Sequence, residues 1–385
     1  MIDLIKFELY KIFSKKSVII VLILTVLFSI FNAVGESVYL KYKGLDSIDD
    51  AYSVMKKYEG KVITQEDISN IYRTIKNLTQ KEKSGKKLTK EEIVYMNLLY
   101  DAIVNLEPMY IINNQYYTLN EIKDEISNLE REGKTDTYEY KNIKYVYSKV
   151  ENIEEPKYYF KGGWYRTTDF KVIATLITTL IVVGLATVFS DEYESNSAQI
   201  MLSCRHGKNK LVLSKILSGL IFTAVVFIII NSIFIISALR YDFIGWDKPL
   251  ELFKYYRATI FDIRIIDFYV IGLGISFMGA ILFALVTMLI SLLVKNNIIS
   301  LLLSLGVYYA PEFLGGIISI DKIAKVFKEI NLAEVVKVEG MFIDPNTYNI
   351  FGNPTLYSTI LISLVVVSIP VVIYLIKYLG KKQAI

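Results

Sequence analysis

Cysteine and histidine are almost missing from this 385-residue chain, which has one of each, Cys204 and His206. Their scarcity excludes a disulfide scaffold, a Cys-rich zinc site, a multi-histidine metal centre and a thiol–imidazole dyad drawn from distant segments. Charge of one sign is lacking too. The net charge is +4, and Lys and Arg are interspersed with acids rather than gathered in a stripe, so no nucleic-acid partner is expected. A serine nucleophile would have no imidazole to work with except His206, and His-Glu-x-x-His and paired-cysteine motifs are absent. The triplet Gly133-Lys134-Thr135 resembles the end of a phosphate-binding loop, but Asn128 stands where the leading glycine belongs, so the segment reads as a turn after a helix. No catalytic, cofactor-binding or metal-binding residue is assigned, and the chain is not read as an enzyme.

What the chain has in abundance is apolar sequence. Hydrophobic residues make up 53% and the mean hydropathy is +0.39, which points to a bilayer as solvent. Uncharged runs occupy 17–35, 172–190, 216–239, 268–294, 296–311 and the apolar part of 356–376. Five reach the roughly 17–25 residues that a spanning helix needs. The run 296–311 is shorter and spans if it continues through Pro311 and Glu312 into the apolar stretch 313–320. Only Lys295 separates the fourth run from the fifth, so these two form a tight helical hairpin with that lysine at its tip.

The expected fold is therefore an all-α integral membrane protein of six transmembrane helices. A large, mainly helical extracytoplasmic domain sits between the first helix and the second. Residues 1–16 are read as a cytoplasmic amphipathic interfacial helix, with Ile2, Ile5, Leu9, Ile12 and Phe13 on one stripe and Asp3 and Glu8 among the polar residues. Those acids and the length of the leading segment favour a retained anchor at 17–35 over a cleaved signal. Residues 36–171 form the extracytoplasmic domain, and 172–385 carry helices 2–6 with a cytoplasmic loop at 190–215. Within the domain, 119–131 reads as a helix, while the near alternation of Tyr138, Tyr140, Tyr145 and Tyr147 also fits a short hairpin. Basic residues in the short loops place both ends of the chain in the cytoplasm of a plasma membrane.

The loop 190–215 carries the most information. It starts acidic with Glu192 and Glu194, has an apolar patch of Ile200, Met201 and Leu202, and turns basic through Arg205 and Lys208 before re-entering the membrane at Lys215. A knob with an apolar centre and a charged rim suits docking into a partner's groove, and an ordinary solvated loop fits the same composition. Phe189, Glu192, Glu194, Leu202, Ser203, Gly207, Lys208 and Lys215 fill the places of the coupling region in the type-2 family of ABC exporter permeases, with Asn196-Ser197 where Gly-Thr is common. The chain resembles that family, and Gly162-Gly163-Trp164-Tyr165, 290–297, Tyr348 to Gly352 and the basic tail agree with it. The resemblance implies a separate cytosolic ATPase that holds ATP and Mg, and a second permease forming a homo- or heterodimer, with membrane lipids around both. It also implies export of an amphipathic, peptide or lipid-like substrate, antimicrobial-peptide efflux among the possibilities, in a bacterial plasma membrane. A different class of reading is a membrane-anchored sensor or assembly protein whose domain binds a peptide or cell-wall ligand without transport.

Three further expectations concern the membrane part. The amphipathic stretch 323–338 reads either as a helix dipping into the outer leaflet, as in the resembling family, or as an extracellular cap. None of the six runs contains a charged residue, which argues against an intramembrane ion path. Asn231, Ser232, Ser237, Thr287, Ser291, Ser300 and Ser304 are left to bridge helices, and Gly272, Gly274 and Gly279 to allow close approach at a dimer interface.

Overall fold

A computed structural model describes residues 1–385 except 43, 46–49, 51, 116–117, 152–156, 160–162, 198–206, 240–242, 244, 254–255, 257–258, 319–330, 344–345 and 383–385, together with the side chains of some helical residues. Helix accounts for 78% of the structure, so the architecture is a matter of how apolar helices stack. In chain order they are α1 (Ile2–Phe13), α2 (Lys16–Tyr42), α3 (Gln65–Lys83), α4 (Lys90–Gln115), α5 (Thr118–Arg131), α6 (Tyr138–Val150) and α7 (Phe170–Leu185). There follow α8 (Ser190–Glu194), α9 (Val212–Ala238), α10 (Ile265–Val294), α11 (Asn297–Ile317), α12 (Leu332–Lys337) and α13 (Tyr357–Lys382), with the hairpin β1 (Thr347–Ile350) and β2 (Asn353–Leu356) before the last.

Five helical segments are long and apolar enough to cross a membrane, and α1 with α2, bent by 63° at their junction, makes a sixth candidate. That bend gives the amphipathic stripe its use. Ile12 of that stripe is 1% exposed against the bundle, whereas Ile2 and Phe13 of the same stripe are exposed, as is Tyr10, and α2 then continues to Tyr42, beyond the end of the uncharged run at Gly35. The tight hairpin is built as expected: Lys295 caps α10 in a left-handed conformation (φ 56°), and the Asn296 side chain caps α11 by accepting from the Ile299 N–H.

The chain beyond Pro311 departs from the reading of uncharged spans. α11 continues through it to Ile317 and carries Glu312 within a spanning helix. The glycines also depart. A Cβ on Gly272 would lie 2.7 Å from Phe170, and one on Gly279 would meet Val335 at 2.9 Å, so these two admit neighbours of the same chain rather than a second protomer; Gly274 alone faces open space. The tyrosine-rich segment forms α6 instead of a hairpin, capped by Thr137, whose hydroxyl accepts from the Tyr140 N–H.

Of the stretch 323–338, residues 319–330 lie outside the described set, but α12 is clear. It packs at the middle of the 30-residue α10, where the Ser276 hydroxyl donates to the Val336 carbonyl at 2.7 Å and Gly279 abuts the backbone of Val335 and Val336. The chain thus re-enters the bundle to mid-depth before returning to α13. A cap resting on the surface does not fit that depth.

The start of α1, the Lys295 turn and the end of α13 gather at one end of the bundle. Lys295 lies over the Tyr193 ring, and Gly380 abuts Val212. α3 and α4 lie toward the other end, and they do not stand apart from the bundle. Ile68, Ile71, Leu99 and Leu106 of α3 and α4 share one continuous apolar core with Trp164, Phe170, Leu250, Leu252 and Phe268. Trp164 anchors that seam, its indole N–H donating to the Phe243 carbonyl at 3.2 Å.

Candidate coupling site

The root of the 190–215 loop is where the structure concentrates buried charge. α7 ends at Leu185 and, after one turn, α8 carries Asp191 and Glu192. α9 brings Lys215, which is 0% exposed. α1 brings Glu8 and Lys11, which share a face at i,i+3 spacing. The Lys215 ammonium lies 2.7 Å from Glu192 Oε1 and 3.3 Å from Glu8 Oε2, donates to the Val188 carbonyl at 2.5 Å, and sits 5.2 Å from the Phe189 ring. Lys11 Nζ completes the square at 3.2 Å from Glu192 and 3.5 Å from Glu8. Two carboxylates and two ammonium groups balance, which is what a buried cluster requires.

A second layer ties this cluster to the α10–α11 hairpin. The Ser291 hydroxyl accepts the backbone N–H groups of Phe189 and Ser190 at 3.0 and 3.1 Å. Asn297 donates to Asp191 at 2.5 Å and accepts from the Ser190 hydroxyl at 2.6 Å, while Ser300 donates to the Ala186 carbonyl at 2.5 Å. Lys15, at the α1–α2 bend, reaches Asp191 at 3.8 Å and the Gly184 carbonyl at 3.2 Å. Of the polar residues expected to bridge helices, Ser291 and Ser300 do so. Ser304 bonds within its own helix, as do Ser237 and the Asn231 amide, and the Thr287 hydroxyl is buried without a partner.

The residues singled out from sequence divide here. Glu192 is 8% exposed and bound to Lys11 and Lys215, so its carboxylate belongs to the protein's own interior rather than to an exposed rim. Glu194 is exposed at the end of α8. Lys208 lies in a single π-helical turn, Gly207–Leu211, that leads into α9. Ile200, Met201, Leu202 and Arg205 lie outside the described residues. Sequence reasoning missed the roles of Glu8, Lys11, Lys215 and Asn297. A signal existed for Lys215 alone: a lone lysine inside Val212-Leu213-Ser214-Lys215-Ile216-Leu217 has no polar side of the helix to snorkel toward.

The cluster thus joins α1, α8 and the start of α9 at the root of the 190–215 loop. A family model described as ABC-2 family transporter protein matches residues 2–375. The chain belongs to the ABC-2 transporter family. Neither a curated protein nor a solved structure matches it. Among the described residues no group of His, Cys, Asp or Glu is arranged to hold a metal ion. As an ABC-2 permease the chain is a multi-pass membrane component of transport, and the locked root of the 190–215 loop is its candidate point of coupling.

Proposed function

We propose that this ABC-2 permease forms the transmembrane path of an exporter for an amphipathic, peptide or lipid-like substrate, with antimicrobial-peptide efflux as the best subtype. A separate cytosolic ATPase, which holds ATP and Mg, drives it, and a second permease completes the path. In this reading the α1 end faces the cytoplasm of a bacterial plasma membrane and residues 36–171 face outward. The observation that carries the reading is the Lys215–Glu192–Glu8 cluster. It makes α1, the end of α7 and the start of α9 one rigid piece at the root of the 190–215 loop. A push on that loop then moves spanning helices instead of being absorbed by a flexible hinge.

Within the loop, Ile200, Met201 and Leu202 are assigned the buried centre of the ATPase contact, and Glu194, Arg205 and Lys208 its rim. Central apolar anchors typically cost on the order of 2 kcal/mol when truncated, whereas exposed rim charges contribute under about 1 kcal/mol. Met201→Asp is therefore expected to lower ATPase association and substrate-stimulated hydrolysis at nearly unchanged membrane abundance, and Lys208→Ala to have a smaller effect. Wild-type association in Met201→Asp at equal expression overturns the assignment. The sensor reading is separated by co-purification in mild detergent: a stoichiometric ATPase favours export, and its reproducible absence favours the sensor.

A further inference from the structure

The fifth candidate spanning helix, α11, is one of two held loosely, α13 being buried over 17% of its window. Its outward face carries Ile298, Leu302, Leu303, Tyr309, Phe313 and Ile317, all exposed, and 22% of its spanning window is buried against 67% for the span that contains α7. Its buried stripe is thin: Ser300, Ser304, Tyr308 and Gly315. Polar pins do the rest. At the inner end Asn297 and Ser300 bind Asp191, Ser190 and Ala186 at the loop root. About 22 Å further along, at 1.5 Å per residue, Glu312 accepts from Lys337 of the re-entrant α12 at 2.6 Å.

That outer pin sits in a strained and unbalanced place. The Lys337 side chain is 8% exposed, while Glu312 keeps 51% of its side-chain surface, and Glu334 stands 3.6 Å from the same ammonium. Two carboxylates thus contact one buried ammonium, with Lys171 acting on both from further away. Val338, immediately after Lys337, has φ 64° and ψ −41°. It is the centre of a γ-turn closed by the Glu339 N–H donating to the Lys337 carbonyl at 2.7 Å, a strained form that a β-branched residue rarely adopts. By contrast α12 is fixed to α10 through Ser276 and Gly279 without help from α11. Separating α11 from α12 therefore breaks little besides one ion pair and the packing of Tyr308, whose ring lies 5.7 Å from Phe283 and from the Lys337 ammonium.

We propose that Glu312–Lys337 is an ionic latch that holds α11 closed on the re-entrant helix, and that opening the transport path requires it to release. The inference rests on the transport reading. Glu312 and Lys337 are positioning residues in it, and the inner pins connect the same helix to the loop that an ATPase would move. Thiol accessibility tests it on the purified full-length protein. In a Cys204→Ser background, Ser304→Cys places a near-isosteric probe on the buried stripe, and a membrane-impermeant maleimide is added in detergent so that sidedness is irrelevant. Glu312→Gln and Lys337→Gln are each expected to speed labelling roughly tenfold by raising the open population, and the exchange Glu312→Lys with Lys337→Glu to restore protection. Glu312→Asp is the milder variant if Glu312→Gln does not elute as a monodisperse species. Unchanged labelling in a folded single variant, or no recovery in the folded exchange, overturns the latch. The labelling needs neither ATPase nor cargo, so it stands or falls independently of the transport reading, whose own failure appears as absent ATP-dependent efflux in the wild type.

Discussion

The two ends of the bundle differ in how their buried charges balance. At the inner end Glu8, Lys11, Glu192 and Lys215 are balanced in charge, although Glu8 Oε1 is buried without a hydrogen-bond partner, and the positive φ values fall on Asn196, just after α8, and on Lys295, an ordinary helix cap. From mid-depth outward, difficulties accumulate: Glu312 and Glu334 share one lysine, Val338 and Phe351 hold positive φ, and Glu251, 4% exposed, has a carboxylate oxygen without a hydrogen-bond partner. Backbone strain and unsatisfied groups persist where the surrounding structure imposes them, and they mark parts that change shape. On the coupling proposed above, the inner end would serve as a joint that transmits motion and the outer half as the part that yields.

Breaking the joint has the largest expected effect. Lys215→Met removes one ammonium and leaves Glu8 and Glu192 buried with Lys11 alone, and stranding buried charge in this way costs on the order of 3–5 kcal/mol. The folded fraction in membranes should collapse, as read by monodisperse elution. Adding Glu8→Gln and Glu192→Gln should recover part of it, and a triple variant no better than Lys215→Met would mean that packing, not charge, is what the lysine supplies.

Next in size is the seat of the re-entrant helix. Gly279→Ala drives a methyl into Val335 at 2.9 Å and into backbone atoms at 3.0 Å, and overpacking of this kind typically costs about 1–3 kcal/mol. Gly274→Ala meets nothing within 4 Å and replaces a poor helix former. Thermal melting should fall for the first and stay level or rise for the second. Equal effects would remove the case that α12 is anchored at mid-depth of α10.

Burial pushes the Glu251 carboxyl up to about 7 from an ordinary 4.5, with Asp262 adding to the rise. Between those values the folded chain holds a proton that the unfolded chain releases, so stability falls as pH rises through that window, by about 1.4 kcal/mol per unit at most. Glu251→Gln should therefore melt with the wild type near pH 5 and above it near pH 8. A constant offset at both pH values would show that the carboxyl is not the group that titrates.

Much of this contrast was hidden in the sequence for physical reasons. The spanning runs, the amphipathic stripe of α1 and the one-lysine hairpin were legible because each depends on residues close in the chain. Tyr138, Tyr140, Tyr145 and Tyr147 misled because their spacing suits a strand over two steps and a helix over seven. Gly272 and Gly279 announced close approach, but a single helix cannot name the partner, which proved to be Phe170 and the re-entrant segment. Glu192 looked like a rim charge because its partners lie far along the chain at Lys11 and Lys215. The depth of α12 follows from a return path that no local pattern encodes.

The smallest expected effect is at the tip of the β hairpin, and it separates strain kept for a purpose from strain merely tolerated. β1 and β2 pair in antiparallel register from Thr347–Leu356 to Ile350–Asn353, leaving Phe351-Gly352 as a two-residue turn with φ of 51° and 81°. Two positive values are what a type I′ turn requires, and Asn-Gly is its preferred sequence. Phenylalanine has no side-chain hydrogen bond with which to offset the left-handed conformation, and it is 99% exposed, so it gains nothing from burial either. Phe351→Asn should raise stability by up to about 1 kcal/mol, read as a small increase in melting temperature. If melting rises and transport is unchanged, the strain at the tip is incidental and the contrast between the two ends narrows to Glu251, Val338 and the Glu312–Lys337 pair. If melting rises while transport falls, the exposed ring works against something outside this chain, and the yielding half of the molecule extends to the hairpin. A drop in melting temperature would show that the ring is held by contacts in the membrane-bound protein, and that Phe351 does not belong on the strained side of the comparison.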